Sequence, residues 1–227
     1  HPIGLIDPDD GSGRKFVFQQ TGEIKTLDAD NNLSSVNVLD ISSELVDLFP
    51  VIPYDERGLL GVILHPSFTN NGILYYFASV PTNSAADFTF SENVNIDHHS
   101  VLVEVTFTDS NESSYFGDGD TYSKREILRL EQPVAESFPI IGSNHNSGSM
   151  SFDTNGYLMI SIGDAGDAND TGNGHGLIGN GQDPSNIWGS IIRIDLNGTN
   201  SINTKYGIPS DNPFINDSNK LDELYAY

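Results

Sequence analysis

The chain has 227 residues, of which 32 are acidic and only 10 are lysine or arginine, so its formal net charge at pH 7 is −22. Ten cations spread along the chain cannot build a large basic patch, so nucleic acid and anionic membrane surfaces are poor candidate partners. The longest apolar runs, such as Ile73–Val80, are too short to span a bilayer, and the absence of cysteine leaves the cellular compartment open.

The first elements along the chain are short strands. Two apolar-rich runs, Lys15–Gln19 and Glu23–Leu27, flank a glycine turn, and this arrangement predicts a β-hairpin. Residues 58–65 form a continuous apolar run, and its shortness favours a buried strand over a helix. The only helical candidate is the weak segment 42–49.

The remaining predicted elements are also strands. Ile73–Val80 is rich in aromatic residues and follows an Asn-Gly turn, whereas residues 101–108 alternate apolar and polar side chains as a half-buried strand does. Further short strands are predicted at residues 126–130, 149–152, 157–162 and 190–196. We therefore expect an all-β fold.

One segment of seven residues occurs twice. Residues 68–74 (FTNNGIL) and 152–158 (FDTNGYL) align at an offset of 84, and each copy is followed by an alternating strand. Four-stranded units that recur with turn signals predict the blades of a β-propeller with long insertions between strands. A β-sandwich is the alternative.

Three connections are long and polar, at residues 81–100, 109–124 and 163–185. Loops of this length in a compact domain are usually functional or disordered. The third is the longest and is rich in glycine, asparagine and aspartate, so it is the loop in which we expect a site.

His145 lies among small polar residues in the segment 142–148, directly before a predicted strand. Small neighbours leave an imidazole accessible, and a neutral histidine is a natural general base near neutral pH. The segment predicts a catalytic base, and a surface histidine without a function is the alternative.

The acidic loop, which we define as residues 163–175, concentrates hard oxygen donors. Asp164, Asp167, Asn169 and Asp170 are its candidate metal ligands, and its glycines allow backbone carbonyls to turn inward. Carboxylate and carbonyl oxygens are the ligands that Ca²⁺ prefers, although the spacing differs from that of an EF-hand. A flexible acidic loop without a metal is the alternative.

A charged pair precedes the apolar run 58–65. Glu56 and Arg57 must lie where that strand begins, because the apolar residues that follow them enter the core. Such a position suits contact with a ligand, and a surface ion pair of little energetic value is the alternative.

A series of motifs along nearly the whole chain resembles the soluble quinoprotein glucose/sorbosone dehydrogenase-like family. The motifs lie, in order, at residues 56–66, 71–75, 144–148, 156–158, 163–166, 190–195, 206–214 and 223–227. The resemblance implies a six-bladed β-propeller that binds pyrroloquinoline quinone (PQQ) and Ca²⁺ over its central axis, and that oxidises the hemiacetal of an aldose. It also implies that this chain, residues 1–227, is the N-terminal half of the propeller, completed by the remaining sequence or by a partner chain.

The same resemblance suggests roles for individual residues. His145 matches the family's catalytic histidine, which takes the proton from the anomeric hydroxyl of a sugar while hydride passes to the quinone. Glu56, Arg57, Asn144 and Asn146 are the candidate residues for binding cofactor or substrate. A sugar or another small polyol is the expected substrate, and the expected location is secreted, periplasmic or cell-surface.

A second function remains open at this point. The motif at residues 56–61 also resembles the hedgehog-interacting-protein-like branch of the family, whose members need not be oxidoreductases. Asn144 stands where a glucose dehydrogenase of the family has aspartate, and Glu56 lies at or next to a position where it has glutamine. The alternative is a non-catalytic, extracellular, Ca²⁺-stabilised propeller that acts as a binding or adhesion module.

Overall fold

The computed structural model describes residues 2–49, 55–109, 115–136 and 144–227. Within these ranges the strands form three antiparallel sheets of four strands, and each sheet follows the order of the chain. The strands are β1 (Pro2–Ile6), β2 (Lys15–Gln19), β3 (Glu23–Leu27), β4 (Leu33–Asp40), β5 (Leu59–Leu64), β6 (Ile73–Val80), β7 (Ile96–Thr108), β8 (Thr121–Pro133), β9 (Ser147–Phe152), β10 (Leu158–Ile162), β11 (Ile191–Ile194) and β12 (Leu224–Ala226). The first sheet is β1–β4, the second β5–β8 and the third β9–β12.

The second sheet packs between the other two, which explains the apolar run in β6. Leu74 and Tyr76 point into a core shared with the first sheet. Tyr75 and Phe77 point into a second core, shared with the third sheet. Because successive side chains of a strand alternate in direction, a strand with both faces covered must be apolar throughout.

The first strands of the three sheets lie side by side, with β5 in contact with both β1 and β9. The sheets therefore fan out from a common inner edge, which is the arrangement of propeller blades. The repeated segments 68–74 and 152–158 both lead from the first to the second strand of their sheets. The prediction of an all-β propeller is confirmed, and the sandwich alternative is excluded because two separate cores divide three sheets.

Two helical segments depart from the prediction. A 3₁₀ turn, Ser42–Glu44, is the only regular helical structure within the predicted segment 42–49 among the described residues. A short α-helix, Phe68–Asn71, occupies the predicted Asn-Gly turn, and its last hydrogen bond runs from the Gly72 N–H to the Phe68 carbonyl over 2.8 Å. The apolar residues in segment 42–49 include Leu45, which lies outside the 3₁₀ turn. Leu45 is buried in the core between the first and second sheets.

Candidate active site

His145 is positioned by its backbone as well as by its ring. It lies just before β9 with φ at 54°, in the left-handed region, and its N–H donates a hydrogen bond to Glu56 Oε2. Its carbonyl packs against Gly163, where a Cβ atom would stand 1.6 Å from the oxygen. Only glycine fits at position 163. Because Gly163 follows β10 and His145 precedes β9, this close contact fixes His145 against the end of β10.

The imidazole of His145 faces a carboxylate. Its Nδ1 lies 2.8 Å from Asp164 Oδ1, and the two side chains are 35% and 24% exposed. The contact has an ion-pair distance without hydrogen-bond geometry, and it covers the Nδ1 edge of a ring whose side chain is otherwise partly exposed. This pair can carry out general acid–base chemistry.

Arg57 is engaged inside the blade. Its buried guanidinium donates to both carboxylate oxygens of Asp55, to Asp97 Oδ2 at 3.2 Å and to the Asp47 carbonyl at 3.2 Å. Burial alone would raise the pKa of Asp55, but the hydrogen bonds from Arg57 outweigh it and hold that pKa below its ordinary value. The structure therefore places Arg57 in an ion-pair network at the start of β5.

Asn144 and Asn146, the neighbours of His145, are buried, at 7% and 0% exposure. Asn144 forms an isolated antiparallel bridge with Gly166, which connects the His145 segment to the acidic loop. Residues 142 and 143 of the predicted segment 142–148 lie outside the described residues.

The acidic loop brings together a group that the sequence identified only in part. One ligand atom each from Asp164, Asp170 and His175 lies within 4.8 Å of the others. Asp167 does not belong to this group, and its Oδ2 accepts the Glu136 N–H at 3.0 Å. Asn169 lies next to Asp170 in the same turn, with φ at 67°.

His175 had no assigned role, although it closes the oxygen-rich segment 163–175. A histidine at the end of such a run was the signal that could have identified it, since imidazole and carboxylate commonly share a metal. The pairing of Asp164 with His145 had no such signal, because the two residues are 19 positions apart and meet only through the hairpin of β9 and β10.

Comparison with known proteins places the chain in a family. The family model described as Glucose / Sorbosone dehydrogenase matches residues 1–227. Hedgehog-interacting protein of Homo sapiens is 31% identical over 228 residues, covering 100% of this chain and 28% of that protein. HIPL1 protein of Arabidopsis thaliana is 27% identical over 256 residues, covering 99% of this chain and 34% of that protein.

Solved structures match the fold at lower identity. A glucose dehydrogenase has a TM-score of 0.59 at 18% identity, covering 99% of this chain and 50% of that one. The PQQ-bound aldose sugar dehydrogenase of Streptomyces coelicolor has a TM-score of 0.53 at 18% identity, with 90% and 49% covered. Three blades within half the length of such a chain are what a six-bladed propeller requires.

The chain spans about a third or less of the curated relatives it matches, and about half of the solved chains. In the part of the chain that the structure describes, we find no helix with the length and apolar character needed to cross a membrane. The family model, the 31% identity and the propeller sheets agree, and the chain belongs to the glucose/sorbosone dehydrogenase family.

Proposed function

We propose that the protein carrying this chain is a quinoprotein sugar dehydrogenase, which oxidises the hemiacetal of an aldose with PQQ and Ca²⁺. The observation that supports this proposal best is the His145–Asp164 pair, with 2.8 Å between Nδ1 and Oδ1 and one edge of the imidazole accessible. The PQQ-bound form of a structural neighbour supports the choice of cofactor.

His145 acts as the general base in this proposal. Nε2 accepts the proton of the anomeric hydroxyl, and the Asp164 carboxylate, 2.8 Å from Nδ1, is close enough to stabilise the imidazolium formed in that step. Loss of that proton makes the anomeric carbon a better hydride donor. PQQ, when bound, supplies the acceptor for the two electrons.

The residues of this chain fit the proton-transfer part of the site better than they fit the cofactor. PQQ is an anionic tricarboxylate, yet Glu56 brings a carboxylate to the His145 backbone and the Arg57 guanidinium is occupied by Asp55 and Asp97. We therefore propose that the cations for the quinone come from the rest of the propeller or from a partner chain, and that residues 1–227 are one part of that domain.

The further assignments follow from family membership. We propose that the substrate is a sugar or a similar small polyol and that the protein is secreted, periplasmic or on the cell surface. Ca²⁺ at the oxygen-rich segment containing Asp164, Asp167, Asn169 and Asp170 stays a prediction. Fractionation of the source cells tests the location, and a cytoplasmic protein would contradict it.

The test of the enzyme proposal is dye-linked aldose oxidation by the full-length protein after incubation with PQQ and Ca²⁺. We expect His145→Ala to lower kcat by about 10²–10⁴-fold, the usual contribution of a general base. His65→Ala, which replaces a histidine outside the site, is the matched control and should retain activity once its melting temperature is accounted for. Wild-type-like turnover of His145→Ala would refute the role of His145.

A second candidate function is a non-catalytic binding module for another extracellular protein. It is favoured by the 31% identity to a relative named Hedgehog-interacting protein, and by the placement of Glu56 and the engaged Arg57. An absorbance titration of the full-length protein with PQQ separates the two candidates. Saturable binding favours the enzyme, whereas no binding together with no aldose oxidation favours the binding module.

A further inference from the structure

His175 is buried in an unusual state. Its side chain is only 1% exposed, yet neither Nδ1 nor Nε2 has a hydrogen-bond partner. Buried polar atoms are nearly always paired, so two unpaired ring nitrogens in one side chain call for an explanation. The Nε2 atom lies 3.4 Å from Asp170 Oδ1 without a hydrogen bond between them.

A shared metal ion explains that separation. Two ligands about 2.0–2.1 Å from a tetrahedral Zn²⁺ ion stand about 3.4 Å apart. This value equals the distance from His175 Nε2 to Asp170 Oδ1. One ligand atom each from Asp164, Asp170 and His175 lies within 4.8 Å of the other two. The three ligand atoms are thus spaced to surround one small cation.

We propose that Asp164, Asp170 and His175 bind one divalent transition-metal ion of the Zn²⁺ class. Two carboxylates balance the charge of the ion, and the imidazole nitrogen selects for the borderline metals. A Ca²⁺ site in this loop would be built from oxygen atoms and would not use His175. The Zn²⁺ site proposed here and the Ca²⁺ site predicted from the sequence are therefore alternatives for the same loop. The proposal does not depend on sugar oxidation, because it concerns the ligands alone.

The three ligands are held in place by one buried asparagine, Asn180, which is 3% exposed. Its backbone N–H donates to Asp170 Oδ1 at 2.6 Å, and its side-chain amide donates to the carbonyls of Asp164 at 2.8 Å and Gly174 at 3.2 Å. Asn180 therefore fixes all three ligand-bearing segments. Outer hydrogen bonds of this kind orient the ligands of metal sites.

The position of the His175 imidazole also requires a glycine at residue 166. A Cβ atom on Gly166 would lie 2.8 Å from His175 Cε1, and the φ of Gly166 is 68°. An open surface cleft lined by residues that include His175, Asn180 and Asp183 reaches this side of the loop. Gly166 and Asn180 thus restrict where the ligands can lie, and the cleft is next to His175.

The experiment uses the full-length protein without a histidine tag, treated with chelator and dialysed. Calorimetric titration with Zn²⁺ should show one saturable site, and Zn²⁺ should raise the melting temperature. His175→Ala should weaken Zn²⁺ binding more than tenfold. His65→Ala, the same substitution at a histidine outside the acidic loop, is the matched control, and its affinity for Zn²⁺ should stay within about threefold of the wild-type value.

The visible absorption spectrum of bound Co²⁺ provides a second measurement, which uses only the wild-type protein. Bound through one nitrogen and carboxylate oxygens at low coordination number, Co²⁺ should show visible absorption bands that saturate at one equivalent and that Zn²⁺ abolishes by competition. If His175→Ala fails to fold, His175→Gln and the wild-type Co²⁺ spectrum decide. The proposal is overturned by a lack of Zn²⁺ uptake, by uptake that His175→Ala leaves unchanged, or by uptake of Ca²⁺ in preference to Zn²⁺.

Discussion

His145 lies between two carboxylates that act on different parts of the residue. Glu56 accepts a hydrogen bond from its backbone N–H, whereas Asp164 faces Nδ1 of its ring. Glu56 thereby links the start of β5, in the second blade, to the start of β9, in the third. We interpret Glu56 as a positioning residue, which sets where the imidazole stands and leaves proton transfer to the ring.

This interpretation leads to a prediction about Glu56. Glu56→Ala removes a charge-assisted hydrogen bond to a partly buried N–H and should lower the free energy of unfolding by about 1–3 kcal/mol. Glu56→Gln keeps an acceptor oxygen at the same place and should recover most of that loss. Chemical denaturation of the full-length protein measures both values, and equal losses in the two variants would show that the charge matters rather than the hydrogen bond.

A positioning role also predicts a kinetic difference if the protein is the proposed enzyme. Glu56→Ala should lower kcat more than it changes KM, because a displaced base affects the transition state more than the binding of sugar. Glu56→Gln should restore kcat in parallel with stability. A change confined to KM would instead mean that Glu56 contacts the substrate.

The sequence named His145, Asp164 and Asp170 as candidates, but it did not name His175 or the contacts that these residues make. His145 and Asp164 were both identified, one as a base and the other as a metal ligand, yet their contact depends on the fold of a hairpin and its loop. Arg57 was predicted to bind cofactor or substrate. In the structure its guanidinium forms an ion pair with Asp97, which is 40 positions away in the sequence. A charged side chain forms ion pairs with the opposite charges that the fold places next to it. The spacing of residues along the sequence does not show which charges those will be.

At the scale of elements, burial decides which strands could be recognised. β6 was predicted with the bounds that the structure has, because both of its faces are covered and its residues are apolar without interruption. β1, β4 and β12 were missed, and each is an edge strand of its sheet with few buried side chains. An edge strand is held mainly by backbone hydrogen bonds, which leave little pattern in the sequence.

The same contrast predicts the cost of two matched substitutions. Leu74 in β6 is 0% exposed, and Leu33 in β4 is 56% exposed. Leu74→Ala should lower the free energy of unfolding by about 2–5 kcal/mol because it opens a cavity between the first and second sheets. Leu33→Ala should change it by less than about 0.5 kcal/mol. Thermal or denaturant melts measure both, and similar losses would contradict the division into core and edge strands.

At the scale of the whole chain, the excess of acidic residues determines the electrostatics. Most of the lysine and arginine side chains already make ion pairs, and several of those pairs are deeply buried, such as Arg14 with Asp10 and Arg57 with Asp55. Because the chain has 32 acidic residues and only 10 lysines and arginines, mutual repulsion among the acidic residues opposes the compact state. Screening this repulsion should therefore stabilise the fold more than the weakening of exposed ion pairs destabilises it.

We expect the melting temperature of the chain to rise between about 0.05 M and 1 M NaCl, since the Debye length falls from more than 10 Å to about 3 Å over this range. Sodium chloride and choline chloride should act alike at equal ionic strength, because screening depends on ionic strength and not on the cation. A rise with NaCl alone would indicate specific binding of Na⁺. A fall with both salts would show that exposed ion pairs, and not repulsion among the acidic residues, dominate the electrostatic free energy of folding.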